Sequence, residues 1–365
     1  SEAQTTFSAQ RGFEWLAAHC PNGNCRSDIQ TTAFYTLAMK DAGQLEYANL
    51  GVEYIRSRED TANCWPRGGC SVKDTAYALW VLDAYGLDTS GGEEYLRTAL
   101  SVAPDLENFW YLEVVTTNNA TCTIVYDTNN QTSEKIVAVD AGTFPECHGS
   151  APTFFDLNAC IQPNLLSNNP SLELDIDCDA LGPSTILSIL FVDGNNFYVI
   201  DEQPSSSMKT IIQNGCFGVR SRSSCDLEAS LHANWLLVEL GSDTTSYLYA
   251  RNNHDKFNPQ HNALLFLSAP TESRTSFIDQ LVSLQESDGS FDRNVLSTAI
   301  SVLALKQSAK SQEHIKAVEW LKSKQQSDGS WNTNELDTAS TLYSSFTGEP
   351  ISILPIISPI PGGQP

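Results

Sequence analysis

Two hydrophobic periods divide the chain. Up to about residue 104 and again from residue 209, apolar residues recur three and four positions apart, the spacing of amphipathic helices. FEWLAAH, VEYIRSRED and FIDQLVSLQ are stretches of this kind. Each precedes a turn and a second stretch richer in small and apolar residues, such as TTAFYTLAM, DTAYALWVLDA or STAISVLAL. The first kind predicts an outer helix with one wet face. The second predicts an inner helix, whose Ala and Ser let neighbours crowd together. Between residues 105 and 208 the texture changes. ENFWYLEVV, ATCTIVYD, EKIVAVDAG, SLELDIDC and ILSILFVDGNNFYVI are β-branched and aromatic runs, several of them alternating in polarity. Turn formers such as Asn129-Asn130 and Asp193-Gly194-Asn195-Asn196 separate them. This segment predicts an antiparallel, sandwich-like β-domain.

The helical parts repeat. FIDQLVSLQESDGSF is followed by DRNVLSTAISVLAL, and VEWLKSKQQSDGSW by NTNELDTASTLYSSF. In both, a Gln-x₂-Asp-Gly-Ser-aromatic turn joins two helices, carried by Gln285, Asp288 and Phe291 and by Gln325, Asp328 and Trp331. Asp-Gly is a strong turn signal, and a polar residue ahead of an apolar run marks a helix start. Earlier copies put cysteine pairs in the turn: Cys20/Cys25, Cys64/Cys70 and Cys216/Cys225. A degenerate copy has His254-Asp255-Lys256-Phe257. Ala33, Ala76, Ala233, Ala263, Ala299 and Ala339 align the six inner helices. No such hairpin buries its apolar face alone, so neighbours must stack, and about six hairpins suffice to close a ring. The expected organisation is therefore a mainly α fold, an α/α toroid with a β insertion. Its parts are toroid over 1–104, β-domain over 105–208, toroid over 209–348 and a Pro-rich extended tail over 349–365. The stretch EEYLRTALSV, ahead of the insertion, reads as the third outer helix.

Composition bears mainly on compartment. The net charge is −23, from 44 acidic and 21 basic residues, which argues against nucleic acid or an anionic membrane as partner. The ten cysteines are an even number with irregular local spacings, which favours disulfides over zinc. Within the insertion, Cys122, Cys147, Cys160 and Cys178 allow three connectivities; Cys147–Cys160 and Cys122–Cys178 are favoured. Asn119-Ala-Thr121 and Asn130-Gln-Thr132 are candidate glycosylation sequons. No apolar run reaches the roughly 18 residues a transmembrane helix needs. The start at Ser1 fits a mature form after leader removal. The expected location is extracellular or the cell surface.

The Gln-x₂-Asp-Gly-Ser-Trp/Phe turn followed by Asp-Thr-Ala or its variants resembles the repeats of the squalene cyclase and protein prenyltransferase superfamily. The likeness spans roughly residues 10–104 and 209–346. It implies an α/α toroid in which the turn Gln and the aromatic are structural, tying helix ends together. The catalytic residues of those enzymes are not found. The cyclase acid motif D-x-D-D is approached only by Asp175-Ile-Asp177-Cys-Asp179, inside the β-like insertion. The prenyltransferase zinc set of Asp, Cys and His has no match on the inner helices. The Cys-Gly-Glu-Gln of thioester domains, which share the scaffold, is likewise missing.

Other candidate chemistry is sparse. Asp175, Asp177 and Asp179 form D-x-D-x-D, a possible calcium set, although an EF-hand would need Gly at Ala180 and Glu at Ile186. His232 and His261 stand at or near inner-helix starts, and His254 with His261 is a second candidate metal pair. Asp28, Asp74, Glu228 and Asp337 also gather at inner-helix starts, where carboxylates cap helices or, across a cleft, act as acid and base. The tail alternates Ile and Leu with Pro; Ile351, Ile353, Ile356 and Ile357 are candidates for assembly, since an exposed apolar strand needs a cover. Two functions follow as expectations. One is a non-enzymatic surface protein for adhesion, capture of a cell-surface or glycan ligand, or self-association through the tail. The other is a secreted glycan hydrolase or lyase, or a terpenoid-type enzyme, working in the ring cavity.

Overall fold

A computed structural model describes residues 6–103, 106, 110–128, 131–149, 151–162, 165–193, 196–242 and 246–353. Helices account for 46% of the chain and antiparallel strands for 20%, so the class is mixed α and β rather than mainly α. The β part is simply too large for the narrower label.

The helices come in pairs. Five precede the insertion: α1 (Ala9–His19), α2 (Ile29–Asp41), α3 (Leu45–Ser57), α4 (Val72–Ala84) and α5 (Ser90–Ala99). Ten strands and two single-turn helices follow. In chain order they are β1 (Ser101–Val102), β2 (Trp110–Val115), β3 (Asn119–Thr128), β4 (Gln131–Asp140), β5 (Phe154–Asp156), α6 (Leu157–Cys160) and α7 (Leu165–Asn168). The rest are β6 (Ser171–Asp177), β7 (Ile186–Asp193), β8 (Asn196–Gln203), β9 (Ser207–Gln213) and β10 (Gly215–Cys216). The chain then returns to helices α8 (Leu227–Glu239), α9 (Tyr247–Asn253), α10 (Pro259–Ser268), α11 (Thr271–Ser283), α12 (Val295–Lys306), α13 (Ser311–Lys324) and α14 (Glu335–Ser345).

Six helices share one design. α2, α4, α8, α10, α12 and α14 are buried over most of their length, whereas α1, α3 and α13 bury one face only. Each begins on a polar cap whose side chain accepts an otherwise unpaired backbone N–H: Asp28, Ser71, Asp226, Asn258, Asn294 and Asn334. Four residues beyond the cap, Thr32, Thr75, Ser230, Thr298 and Thr338 turn a hydroxyl back to accept a turn N–H, from Cys25, Trp65, Phe217, Phe291 and Trp331 respectively. In the fourth hairpin Asn262 occupies this place and donates to the Lys256 carbonyl. This register corrects the sequence alignment in one copy. The residue following the cap-plus-four position is Leu231 in α8, and Ala233 lies two residues further on.

The six helices touch in cyclic order, α2 to α4, α8, α10, α12, α14 and back to α2. The closing step repeats the internal ones. Gln285 donates through Nε2 to the Gly289 and Glu313 carbonyls, and Gln325 does the same to Gly329 and Ser8. Asp288 accepts from the Trp320 indole of α13, and Asp328 from that of Trp15 in α1. Gly289 and Gly329 sit at φ +94° and +99°, with ideal Cβ positions 2.4 Å from the carbonyl oxygens of Lys316 and Arg11. Only glycine fits that backbone approach. In this geometry α1 follows hairpin six as α13 follows hairpin five.

The β part forms two four-stranded antiparallel sheets, ordered β5-β2-β7-β8 and β4-β3-β6-β9. Three of the central strands show one buried row each: Trp110, Leu112 and Val114 in β2, Cys122, Ile124 and Tyr126 in β3, and Leu172, Leu174 and Ile176 in β6. These rows belong to the same hydrophobic cluster as the helices. β1 pairs with β10, Ser101 opposite Cys216 and Val102 opposite Gly215, so the insertion enters and leaves the helical part at one point. That moves its boundaries from the expected 105–208 to about 101–216. Residues 209–213 are strand, not the start of the second helical part.

Candidate functional site

Five aromatic rings from four of the six inner helices pack against one another inside the helical ring. Phe34 of α2, Tyr77 and Trp80 of α4, Trp235 of α8 and Tyr343 of α14 lie with neighbouring centroids 5.2–6.4 Å apart. The angles between them range from tilted to edge-on, arrangements that suit the ring quadrupole. Phe34 and Tyr77 are fully buried and Trp235 nearly so.

A polar chain leads from this cluster to the surface at the N-terminal ends of the inner helices. Gln30 donates to the Tyr77 hydroxyl at 3.1 Å, and that hydroxyl lies 2.8 Å from His232 Nδ1. His232 Nε2 lies 3.5 Å from Glu228 Oε2, and His261 Nε2 lies 3.1 Å from Glu228 Oε1. The Asp255 backbone N–H donates to His261 Nδ1 at 3.0 Å. One proton arrangement satisfies the whole chain: both imidazoles are neutral, carry hydrogen on Nε2 and donate to Glu228. Burial lowers the His232 pKa to about 4, so it stays neutral. The hydrogen bond from His232, then that from His261, holds Glu228 far below the usual carboxylate range. Burial raises Tyr77 well above its ordinary value, and it raises Asp74 and Asp337 as well.

This geometry disfavours a metal on the two histidines. A metal at His261 Nε2 would require a proton on Nδ1, which already accepts from a backbone N–H. His254 turns its Nδ1 to the Arg251 carbonyl instead. Asp175, Asp177 and Asp179 do not converge either. Asp175 pairs with Lys209 at 2.9 Å, Asp177 accepts from the Asp179 N–H, and Asp179 accepts from the Ser206 hydroxyl. Among the described residues, the group of three metal-type ligands within 4.8 Å of one another is Asp60, Cys64 and Cys70. There both sulfurs are already bonded to each other, and Asp60 accepts from the N–H groups of Ala62 and Gly68.

The ten cysteines are joined as Cys20–Cys25, Cys64–Cys70, Cys122–Cys178, Cys147–Cys160 and Cys216–Cys225. Asn119 starts β3 and is exposed, its Oδ1 accepting from the Ala141 N–H. Asn130, Ile356 and Ile357 lie outside the described residues. Ile351 and Ile353 pack, half-buried, on the helical core. Asp28 caps α2, and Asp337 receives a hydrogen bond from Asn332. Among the described residues, no helix is long and apolar enough to cross a membrane.

Sequence reasoning singled out His232, His261 and Glu228 but missed Tyr77 and Gln30, which complete the chain. It also missed Gln10 and Gln44, whose partners in the tail lie more than 300 residues away. Tyr and Gln on buried helices carry no motif; only the packing of distant segments gives them partners. No family model matches the chain, and no curated protein is significantly similar to it.

Proposed function

We propose that this chain is an extracellular, non-enzymatic surface protein, an α/α toroid of the squalene cyclase and prenyltransferase type carrying a sandwich-like β-domain. Its work is adhesion, ligand capture or self-assembly. One observation carries this reading. Where a ring enzyme needs a cavity for its substrate, Phe34, Tyr77, Trp80, Trp235 and Tyr343 fill the space. The polar chain beside them supports it, since Gln30, Tyr77, His232 and His261 spend their hydrogen bonds on one another and on Glu228. Five disulfides with no free cysteine favour an oxidising location.

The test is titration with an isoprenoid such as farnesol or squalene, following tryptophan emission and the thermal midpoint. Neither is expected to change. Saturable quenching with a raised midpoint would reverse the reading. Sedimentation over a hundredfold range of concentration, with a glycan-binding screen, examines the positive side; a strict monomer that binds no glycan removes adhesion and assembly together.

A second reading, a glycan hydrolase or lyase at the ring mouth, has one observation in its favour. Glu228 is half-exposed and held between two imidazoles, so a carboxylate and two proton-bearing rings converge at one point open to solvent. Glycan turnover abolished by Glu228→Gln would establish it.

A further inference from the structure

The tail does not leave the ring freely. Beyond α14, Ile351, Ser352 and Ile353 run along the outer surface between α1 and the start of α3, held by two glutamines. Gln10 Nε2 donates to the Ser352 carbonyl at 2.7 Å, and Gln10 Oε1 accepts from the Ser352 N–H at 2.9 Å. Gln44 Nε2 donates to the Ile351 carbonyl at 2.9 Å, and Gln44 Oε1 accepts from the Ile353 N–H at 3.2 Å. In an extended strand the N–H and C=O of one residue point to one edge, and the flanking C=O and N–H to the other. Gln10 thus satisfies one edge of the tail and Gln44 the opposite edge. A primary amide offers the same donor and acceptor as a peptide group, so the two side chains stand in for neighbouring strands. Gln44 occupies the cap position of α3 yet makes no capping bond, because its amide is turned to the tail.

The alternation fits a strand. Ile351 and Ile353 face the core, and Ser352 between them is exposed. Past Ile353 the groove continues as a cavity of about 430 Å³, bordered by Ile353 itself and by Ala17, Ala18, Pro21, Tyr47 and Leu50. Its wall is mainly small and apolar. Continued with a period of two, the alternation would bring Pro355 and Ile357 to this wall.

We propose that the groove between α1 and α3 is a strand-docking slot whose occupant is the chain's own C-terminal segment, with Pro355 and Ile357 seated in the cavity beyond Ile353. The occupant is named by continuity. The clamp aims the chain into the cavity, and twelve residues, 354–365, follow Ile353. Proline suits such a slot as well, since it has no backbone N–H to be paired. The inference does not rest on the surface-protein reading; a ring enzyme would carry the same slot.

The experiment is hydrogen exchange with mass-spectrometric readout on the full oxidised chain, over a hundredfold range of concentration. Tail peptides covering 351–358 are expected to exchange at least tenfold slower than the same sequence as a free peptide, independently of concentration. Gln10→Ala with Gln44→Ala should abolish that protection while core peptides stay protected. Ala18→Trp, at an exposed position on the cavity wall, should release 354–358 and leave 351–353 protected. Free exchange of 354–358 in the unsubstituted chain overturns the proposal. Protection that grows with concentration also overturns it, because the occupant is then a second copy's tail.

Discussion

Gln325 and Ser8 are 317 residues apart, yet they exchange two hydrogen bonds of 2.8 Å, Ser8 N–H to Gln325 Oε1 and Gln325 Nε2 to the Ser8 carbonyl. Gln325 thereby binds the cap residue of α1 as Gln285 binds α13, and the last hairpin accepts the first as its next neighbour. Arg26 and Glu335 reinforce the joint with an ion pair at 2.8 Å. Ring closure gives every inner helix two flanks, so no apolar face is left at an end. Gln325→Ala is expected to cost about 1–3 kcal/mol, because it leaves backbone groups of Ser8 and Gly329 without partners. Chemical denaturation measures the loss. Exchange at the Ser8 amide should accelerate more than that at the Phe291 amide, which Thr298 still holds.

Acid should weaken the fold through His232. An unfolded imidazole takes its proton near 6.5, whereas burial keeps His232 neutral down to about 4. Between those values the unfolded chain binds a proton that the folded chain does not, so stability falls as the pH drops through the window. The gap amounts to about 3 kcal/mol. Glu228 acts in the same direction at lower pH. Its folded pKa is depressed, so its contribution is present above the unfolded value near 4.5 and is lost as the pH falls towards the folded one. Urea midpoints taken from pH 7 to pH 4 should therefore decline. His232→Gln should flatten the profile between 6.5 and 4; an equally steep decline in that variant rules out His232 as the source.

What the sequence reveals follows from the range of each interaction. The hairpins are visible because their turns and caps are local: Asp288 and Ser290, Asp328 and Ser330, and Asn334 with the Asp337 N–H lie within four residues of each other. The β insertion is visible because its strands alternate. Its edges are not, since β1 and β10 have two residues each and exist only by pairing across the whole insertion. The alignment on Ala233 fails for a related reason. The turn between Phe217 and Ser230 is longer than the seven-residue step of hairpins five and six, so composition alone does not fix the register. The Tyr77–His232–Glu228–His261 chain draws on three helices and has no local signature.

The disulfides should differ in worth according to the loops they close. Cys20–Cys25 and Cys64–Cys70 span sequence separations of 5 and 6, whereas Cys122–Cys178 spans 56. On the chain-entropy model the short bridges contribute about 2 kcal/mol each and the long one about 4 kcal/mol. Cys122 and Cys178 are also fully buried, joining β3 to the end of β6. Replacing both by Ala should lower stability by at least twice the loss from the Cys20/Cys25 double variant, in oxidising buffer and by urea denaturation. Equal losses would mean that loop closure in the unfolded chain is not what these bonds supply.

Trp80 offers the most direct check on the filled ring. Its indole lies against Phe34, Tyr77, Trp235 and Tyr343, so truncation removes the piece around which three other helices pack. Trp80→Ala is expected to cost roughly 3–5 kcal/mol, from lost transfer energy and from the void left behind. A void walled by aromatic rings stays dry and accepts an apolar guest of matching size. Indole or benzene should therefore raise the thermal midpoint of the variant and leave that of the parent chain unchanged. Equal stabilisation of both would reveal space in the centre before any substitution, and the ring would then have room for a ligand after all.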